Sequence, residues 1–123
     1  ALNDLAEVLR RIKRYDDAEK FARLSIEKNK ELYVAWETLG SILFEANKDL
    51  NEAEACVKKA MTIYSDDLRI KITLARIQLK KGDIEIARET IRQLRLHQSE
   101  LPKFDAGELD KLDAQASAFK RSK

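Results

Sequence analysis

The chain has 123 residues, 44% hydrophobic and 37% charged, with 24 Lys and Arg against 22 Asp and Glu for a formal net charge of +2. That length suits a one-domain chain and leaves no room for a second full-sized core. Three Gly and a single Pro are too few turn formers for a sandwich or barrel, and the evenly mixed charge excludes a basic nucleic-acid arm.

From the N-terminus, apolar residues recur at three- and four-residue steps, as in Leu2, Leu5, Val8, Leu9 and Ile12, which predicts an amphipathic helix over about residues 1–12. Further helices are predicted over about 17–28, 33–46, 51–64, 68–80 and 84–97, each second one preceded by an acidic or amide residue able to satisfy free first-turn amides. Asp49 and Glu52 have capping-box spacing. The acid pairs Asp16 with Asp17 and Asp66 with Asp67 fall at helix starts, where negative charge suits the helix dipole. Lys81-Gly82-Asp83 is the clearest break, with Gly82 free to turn left-handed and Asp83 to cap the next helix. Residues 98–105, interrupted by Pro102, read as a connecting loop. A helix over 106–119 follows, with Leu109, Leu112, Ala116 and Phe119 on one face, as a lid for an exposed flank. Residues 120–123 read as a disordered basic tail.

A repeat underlies this order. Leu5-Ala6, Leu39-Gly40 and Leu74-Ala75 recur 34 and 35 residues apart, and Ala18, Ala53 and Ala87 recur 35 and 34 residues apart. The odd residue falls in the middle repeat, around Asn47, Lys48 and Asp49, in a turn that tolerates insertion. The expected organisation is three units over residues 1–97 (about 1–31, 32–66 and 67–97), then loop, capping helix and tail. No lid precedes Ala1, so the expectation is the C-terminal end of a longer array with an uncapped first repeat.

These residues resemble the tetratricopeptide repeat (TPR) family, whose units of about 34 residues are helix pairs. In the middle unit, Trp36, Leu39, Gly40, Ala53, Val57 and Ala60 stand at family positions, with Leu43 in place of the usual Tyr. Leu2, Leu5, Ala6, Leu9, Ala18, Ala22 and Ser25 match in the first unit. Lys71, Leu74, Ala75, Gln78, Ala87, Ile91 and Leu94 match in the third, Lys71 and Gln78 falling where the family is usually apolar. The closing Pro is replaced by Lys30 and Ser65. The resemblance implies an all-α fold, an α-α superhelix (solenoid) of three antiparallel helix pairs with a C-terminal capping helix. Independently of it, small residues at Ala6, Gly40, Ala75, Ala18, Ala53 and Ala87 let helix backbones approach, with Leu5, Leu39, Leu74 and Trp36 filling the space beside them.

Catalytic chemistry is thinly supplied. There is one Cys and one His, no Gly-rich phosphate loop and no His-based metal motif, so neither enzyme, metal site nor cofactor is expected. Cys56 lies on the buried stripe of Ala53, Val57 and Ala60 and cannot close an internal disulfide, which fits a reducing compartment such as the cytoplasm. His97 falls near a helix end. No stretch is long and apolar enough for a membrane span and no leader opens the chain, so the reading is soluble, without membrane partners.

The resemblance further implies that the first helices line an inner surface for a partner peptide or protein segment. The positions that match are Asn3, Glu7, Arg10 and Arg11, then Val34, Glu37, Ser41, Phe44 and Glu45, then Arg69, Ile72, Thr73, Arg76, Leu79 and Lys80. The partner-binding set is Arg10, Arg11, Glu37, Ser41, Phe44, Arg69, Ile72, Arg76, Leu79 and Lys80. Its cations would meet carboxylates, and Phe44, Ile72 and Leu79 would hold apolar side chains. The chaperone-tail carboxylate clamp of some members is not expected, because Asn3, Glu7, Thr38, Arg69 and Thr73 at its positions keep that chemistry only at Arg69. Two alternatives to a protein-binding scaffold remain. One is an RNA-binding helical repeat, opposed by the lack of spaced aromatics and by Glu37 and Glu45. The other is an architectural spacer that self-associates through its uncapped first repeat.

Overall fold

The computed structural model describes the backbone of residues 1–101 and 103–122, with side chains for 1–101 and 105–118. The expectations for Pro102, the Phe119 side chain and Lys123 lie outside these residues. Every regular element among the described residues is a helix: α1 (Leu2–Arg11), α2 (Tyr15–Lys28), α3 (Tyr33–Glu45), α4 (Leu50–Ile63), α5 (Leu68–Lys81), α6 (Ile84–Leu96), a 3₁₀ turn (Gln98–Glu100) and α7 (Lys103–Ser122). The chain divides into two compact units, Ala1–Asp66 with α1 to α4 and Asp67–Lys123 with α5 to α7.

All three first-to-second helix turns close alike. The backbone N–H groups of Arg14, Lys48 and Asp83 donate to the carbonyls of Leu9, Leu43 and Gln78 at 2.8, 3.0 and 3.0 Å. Lys13, Asn47 and Gly82 are left-handed, with φ of 64°, 59° and 86°. This is the Schellman closure, which satisfies the last carbonyls of a helix and favours Gly at its left-handed residue. Lys13 adopts it at a cost of about 1–2 kcal/mol. The extra residue of the middle repeat lies just after this point, since α4 starts three residues beyond Asn47, whereas α2 and α6 start two beyond Lys13 and Gly82. The lengthened turn brings Lys48 to Asp16 at 2.7 Å and Glu19 at 2.8 Å on α2.

Capping is less uniform than the sequence suggests. Asp49 accepts from the Glu52 N–H at 3.0 Å and Asp67 from the Arg69 N–H at 3.1 Å. Asp83 sits at the N-cap of α6 without a side-chain cap bond, its carboxylate 3.5 Å from Lys81 Nζ. Asp16 and Asp17 fall inside the first turn of α2, whose N-cap is Arg14, and Asp17 pairs with Arg14 at 2.6 Å. α7 begins at Lys103, not Ala106, and its backbone continues through the stretch read as a tail to Ser122. Asp105 in its first turn favours the helix dipole.

In the first unit, Ala6, Leu9, Ala18, Ala22, Ile26, Leu39, Ile42, Leu43, Ala53, Val57 and Ala60 are buried. At Gly40 α3 and α4 pack tightly: a Cβ there would lie 2.7 Å from Val57 Cγ2 and 3.1 Å from the Ala53 carbonyl oxygen. Cys56 is buried beside it, and burial first, then the charge of Glu52, pushes its thiol pKa up to about 11. Two expected core residues differ. Leu5 is 41% exposed, on a stripe of α1 that no described helix covers, and Trp36 is half-buried, its indole N–H donating to the Lys30 carbonyl at 2.9 Å. In the second unit, Ile72, Ala75, Leu79, Ala87, Ile91, Leu94, Leu101, Leu109, Leu112 and Ala116 form one cluster. Gln78 is buried at an otherwise apolar position because the Thr90 hydroxyl donates to it at 2.7 Å.

Gly40→Ala is expected to lower stability by about 1–3 kcal/mol through overpacking, despite alanine's better helix propensity. Gly107→Ala, with nothing within 4 Å of an added Cβ, should be neutral or stabilising by up to about 1 kcal/mol. Urea denaturation of both variants checks the contrast.

Candidate partner-binding surface

The sequence-selected residues lie on first helices, and the structure sorts them by what they already touch. In the first unit they build a seam where α1 meets α3. The Arg10 guanidinium donates to Glu7 at 3.1 and 2.9 Å and to Glu45 of α3 at 2.6 Å. The hydrogen bond to Glu7 outweighs burial and raises the Arg10 pKa. Burial works against the Glu7 carboxylate, but hydrogen bonds and charge from Arg10, with Thr38 and Arg11, bring its pKa below the ordinary carboxylate value. On α3, buried Ser41 donates to Glu37 at 3.2 Å, while Phe44 is half-buried. Arg11 is different, because its side chain is 73% exposed and only 4.0 Å from Glu7 at its closest.

In the second unit the corresponding face of α5 is covered by α7. Ile72 and Leu79, placed in the partner-binding set, are 2% and 4% exposed and packed in the cluster with Leu109, Leu112 and Ala116. They are core residues. Arg76 pairs with Glu108 of α7 at 2.8 Å, and this hydrogen bond, then that from Lys111, lowers the Glu108 pKa. Arg95 of α6 holds Asp110 and Asp113, both at 2.8 Å. Arg69 is exposed, its guanidinium 3.6 Å from Asp67, and Lys80 is exposed. The misplacement has a simple reason. Positions at fixed steps from Leu5 and Leu74 run along the line where successive first helices touch, and sequence periodicity does not distinguish that line from the open face beside it.

The sequence reading missed one feature. A cavity of about 350 Å³ lies between α6 and α7, lined by Glu85, Arg88, Glu89, Ile91, Arg92, Arg95 and Asp113. Its charges balance, and Arg92 is bonded to Glu89 at 2.9 Å. An exposed apolar stripe runs along α1 through Leu5, Val8 and Ile12, at 41%, 53% and 59%. His97 pairs with Glu100 at 2.7 Å. Among the described residues no group of three or more His, Cys, Asp or Glu is placed to hold a metal, and no helix is long and apolar enough to cross a membrane.

Stacked helix pairs of this kind define the helical repeat proteins. A family profile described as Tetratricopeptide repeat matches residues 44–106, just over half the chain, and a second of the same description matches residues 1–35. The chain belongs to the tetratricopeptide repeat family. It is 30% identical over 79 residues, 64% of this chain, to N-alpha-acetyltransferase 16, NatA auxiliary subunit, of Homo sapiens. It is 30% identical over 81 residues, 66% of this chain, to an N-terminal acetyltransferase A complex auxiliary subunit of Arabidopsis thaliana. Each match spans 9% of the relative's length. The crystal structure of PcrH in complex with the chaperone binding region of PopD shares the fold, with a TM-score of 0.81 at 16% identity, covering 98% of this chain and 90% of that one.

Because the folded pKa of Glu7 is lowered, its contribution to stability is complete above the ordinary carboxylate range and is lost as pH falls through the lowered value. Urea midpoints between pH 7 and pH 3 should therefore fall less for Glu7→Gln than for the parent. At pH 7, Arg10→Ala should cost about 1 kcal/mol more than Arg11→Ala, since only Arg10 bridges two helices through charge-assisted bonds.

Proposed function

We propose that this chain is a non-catalytic interaction module that binds a segment of a partner protein through its first helices. The observation that carries the reading is the uneven engagement of the sequence-selected residues. Arg10, Arg76, Ile72 and Leu79 serve the fold, whereas Arg11 and Arg69 keep exposed side chains and Phe44 stays half-buried. An exposed guanidinium suits a partner carboxylate and a half-buried aromatic ring suits an apolar anchor. Support also comes from relatives named as auxiliary subunits of an acetyltransferase complex and from a structural neighbour complexed with a region of a second protein.

The test is affinity capture from nuclease-treated lysate. The variants Phe44→Ala with Arg11→Glu, and separately Arg69→Glu, are first shown by circular dichroism to stay helical. A protein captured by the parent should be lost at least tenfold in the variants. An unchanged set of captured proteins would count against the reading, and capture abolished by nuclease in the parent would favour RNA. A second reading, self-association, is favoured by the exposed Leu5, Val8 and Ile12 stripe. It predicts a parent mass in sedimentation that rises with concentration and a Val8→Lys variant that stays monomeric.

A further inference from the structure

α5 departs from α1 at the positions that form the seam. Two residues before Leu5 and Leu74 stand Asn3 and Ile72, and five residues after them stand Arg10 and Leu79. The polar pair in α1 belongs to a seam bridged by ions, and the apolar pair in α5 belongs to one closed by Leu109, Leu112 and Ala116 of α7. These three side chains recur at steps of three and four residues, one helical face. Flanking them, Glu108 meets Arg76, and Asp110 and Asp113 meet Arg95, each at 2.8 Å. The surface therefore reads a short code: three apolar residues on one face of a helix, with carboxylates beside them.

α7 meets that code weakly as a helix. Gly107 lies inside it with no neighbour within 4 Å of an added Cβ, so the glycine lowers helix propensity without a packing return. The ion pairs are partly exposed, with Arg76 at 35%, Arg95 at 31% and Asp110 at 66%, and pairs of that kind hold little. What retains α7 is its apolar face and its attachment to the chain, which keeps it at a high effective concentration.

We propose that the α5–α6 surface beneath α7 is an exchangeable helix-docking site, occupied in cis by α7 and in trans by an acidic amphipathic helix of a partner protein. The charge of the site selects that partner. Arg76 and Arg95 face the incoming helix and disfavour a basic one, while Ile72, Leu79 and Ile91 supply the apolar floor. The proposal adds a second surface to the protein-binding reading, and its failure leaves the Phe44 and Arg11 test untouched.

A labelled peptide of residues 103–122 carrying Gly107→Ala serves as the trans helix, with binding read by fluorescence anisotropy. It should bind a full-length Leu109→Asp, Leu112→Asp variant at least tenfold more tightly than the parent. Adding Arg76→Glu to that variant should weaken binding at least threefold, and a peptide that also carries Glu108→Arg should restore it. If the double Asp variant loses helicity, the single Leu112→Asp variant, which weakens the apolar face that retains α7, is titrated instead. Absence of binding to every helical variant up to about 1 mM peptide, the scale of a tethered helix's effective concentration, would overturn the proposal. So would binding indifferent to Arg76→Glu. A parent dimer that exchanges α7 between copies would overturn the assignment to a partner protein.

Discussion

A pair of amphipathic helices cannot bury its apolar stripe alone, so within each unit the first helix, α1 or α5, is covered both by its own second helix and by one further helix, α3 or α7. The second of these contacts is the one on which the remaining features depend. In the first unit it is polar, a guanidinium held between Glu7 and Glu45. In the second it is apolar, with Ile72 and Leu79 beneath α7. One geometry is thus built with two chemistries. Residues that a partner would otherwise see are spent on whichever neighbour comes next.

The architecture was legible because its causes are local. The 34- and 35-residue spacing, the small residues at Gly40 and Ala53 and the left-handed turn at Gly82 each leave a mark in composition or period. The same turn at Lys13 and Asn47 was not legible, because the backbone bonds that impose it depend on where the helix stops rather than on the residue at the turn. The start of α7 was hidden behind Pro102, read as part of a loop. The candidate surface was legible only as far as the choice of helix. Arg10 and Arg11 are adjacent in sequence and equal in charge, yet one is clamped across the seam and the other exposed, since a single step around a helix turns a side chain by about 100°. Nothing in the residue types separates them.

The opposite side of the first unit is tied by another charge network. Arg23 joins Glu19 at 3.0 Å and Glu52 at 2.9 Å, and Lys48 joins Asp16 and Glu19. It links α2 to the turn before α4 and to α4 itself. Each pair is worth little at an exposed site and is screened by salt. Their arrangement matters more than their strength, because Lys48, in the turn between α3 and α4, reaches back to two carboxylates of α2. The turn of the middle repeat thus carries a cross-repeat contact.

The position of Cys56 has a practical consequence. It is the chain's single cysteine, 3% exposed and next to the tight packing of α3 against α4 at Gly40, with a thiol that burial holds protonated at neutral pH. Thiolate is the reactive form, so an electrophile in solution meets this sulfur only when the helix pair parts. The rate at which the native chain takes up such a reagent is then a clock for local opening in the first unit. It needs no engineered probe, and the second unit contributes no background.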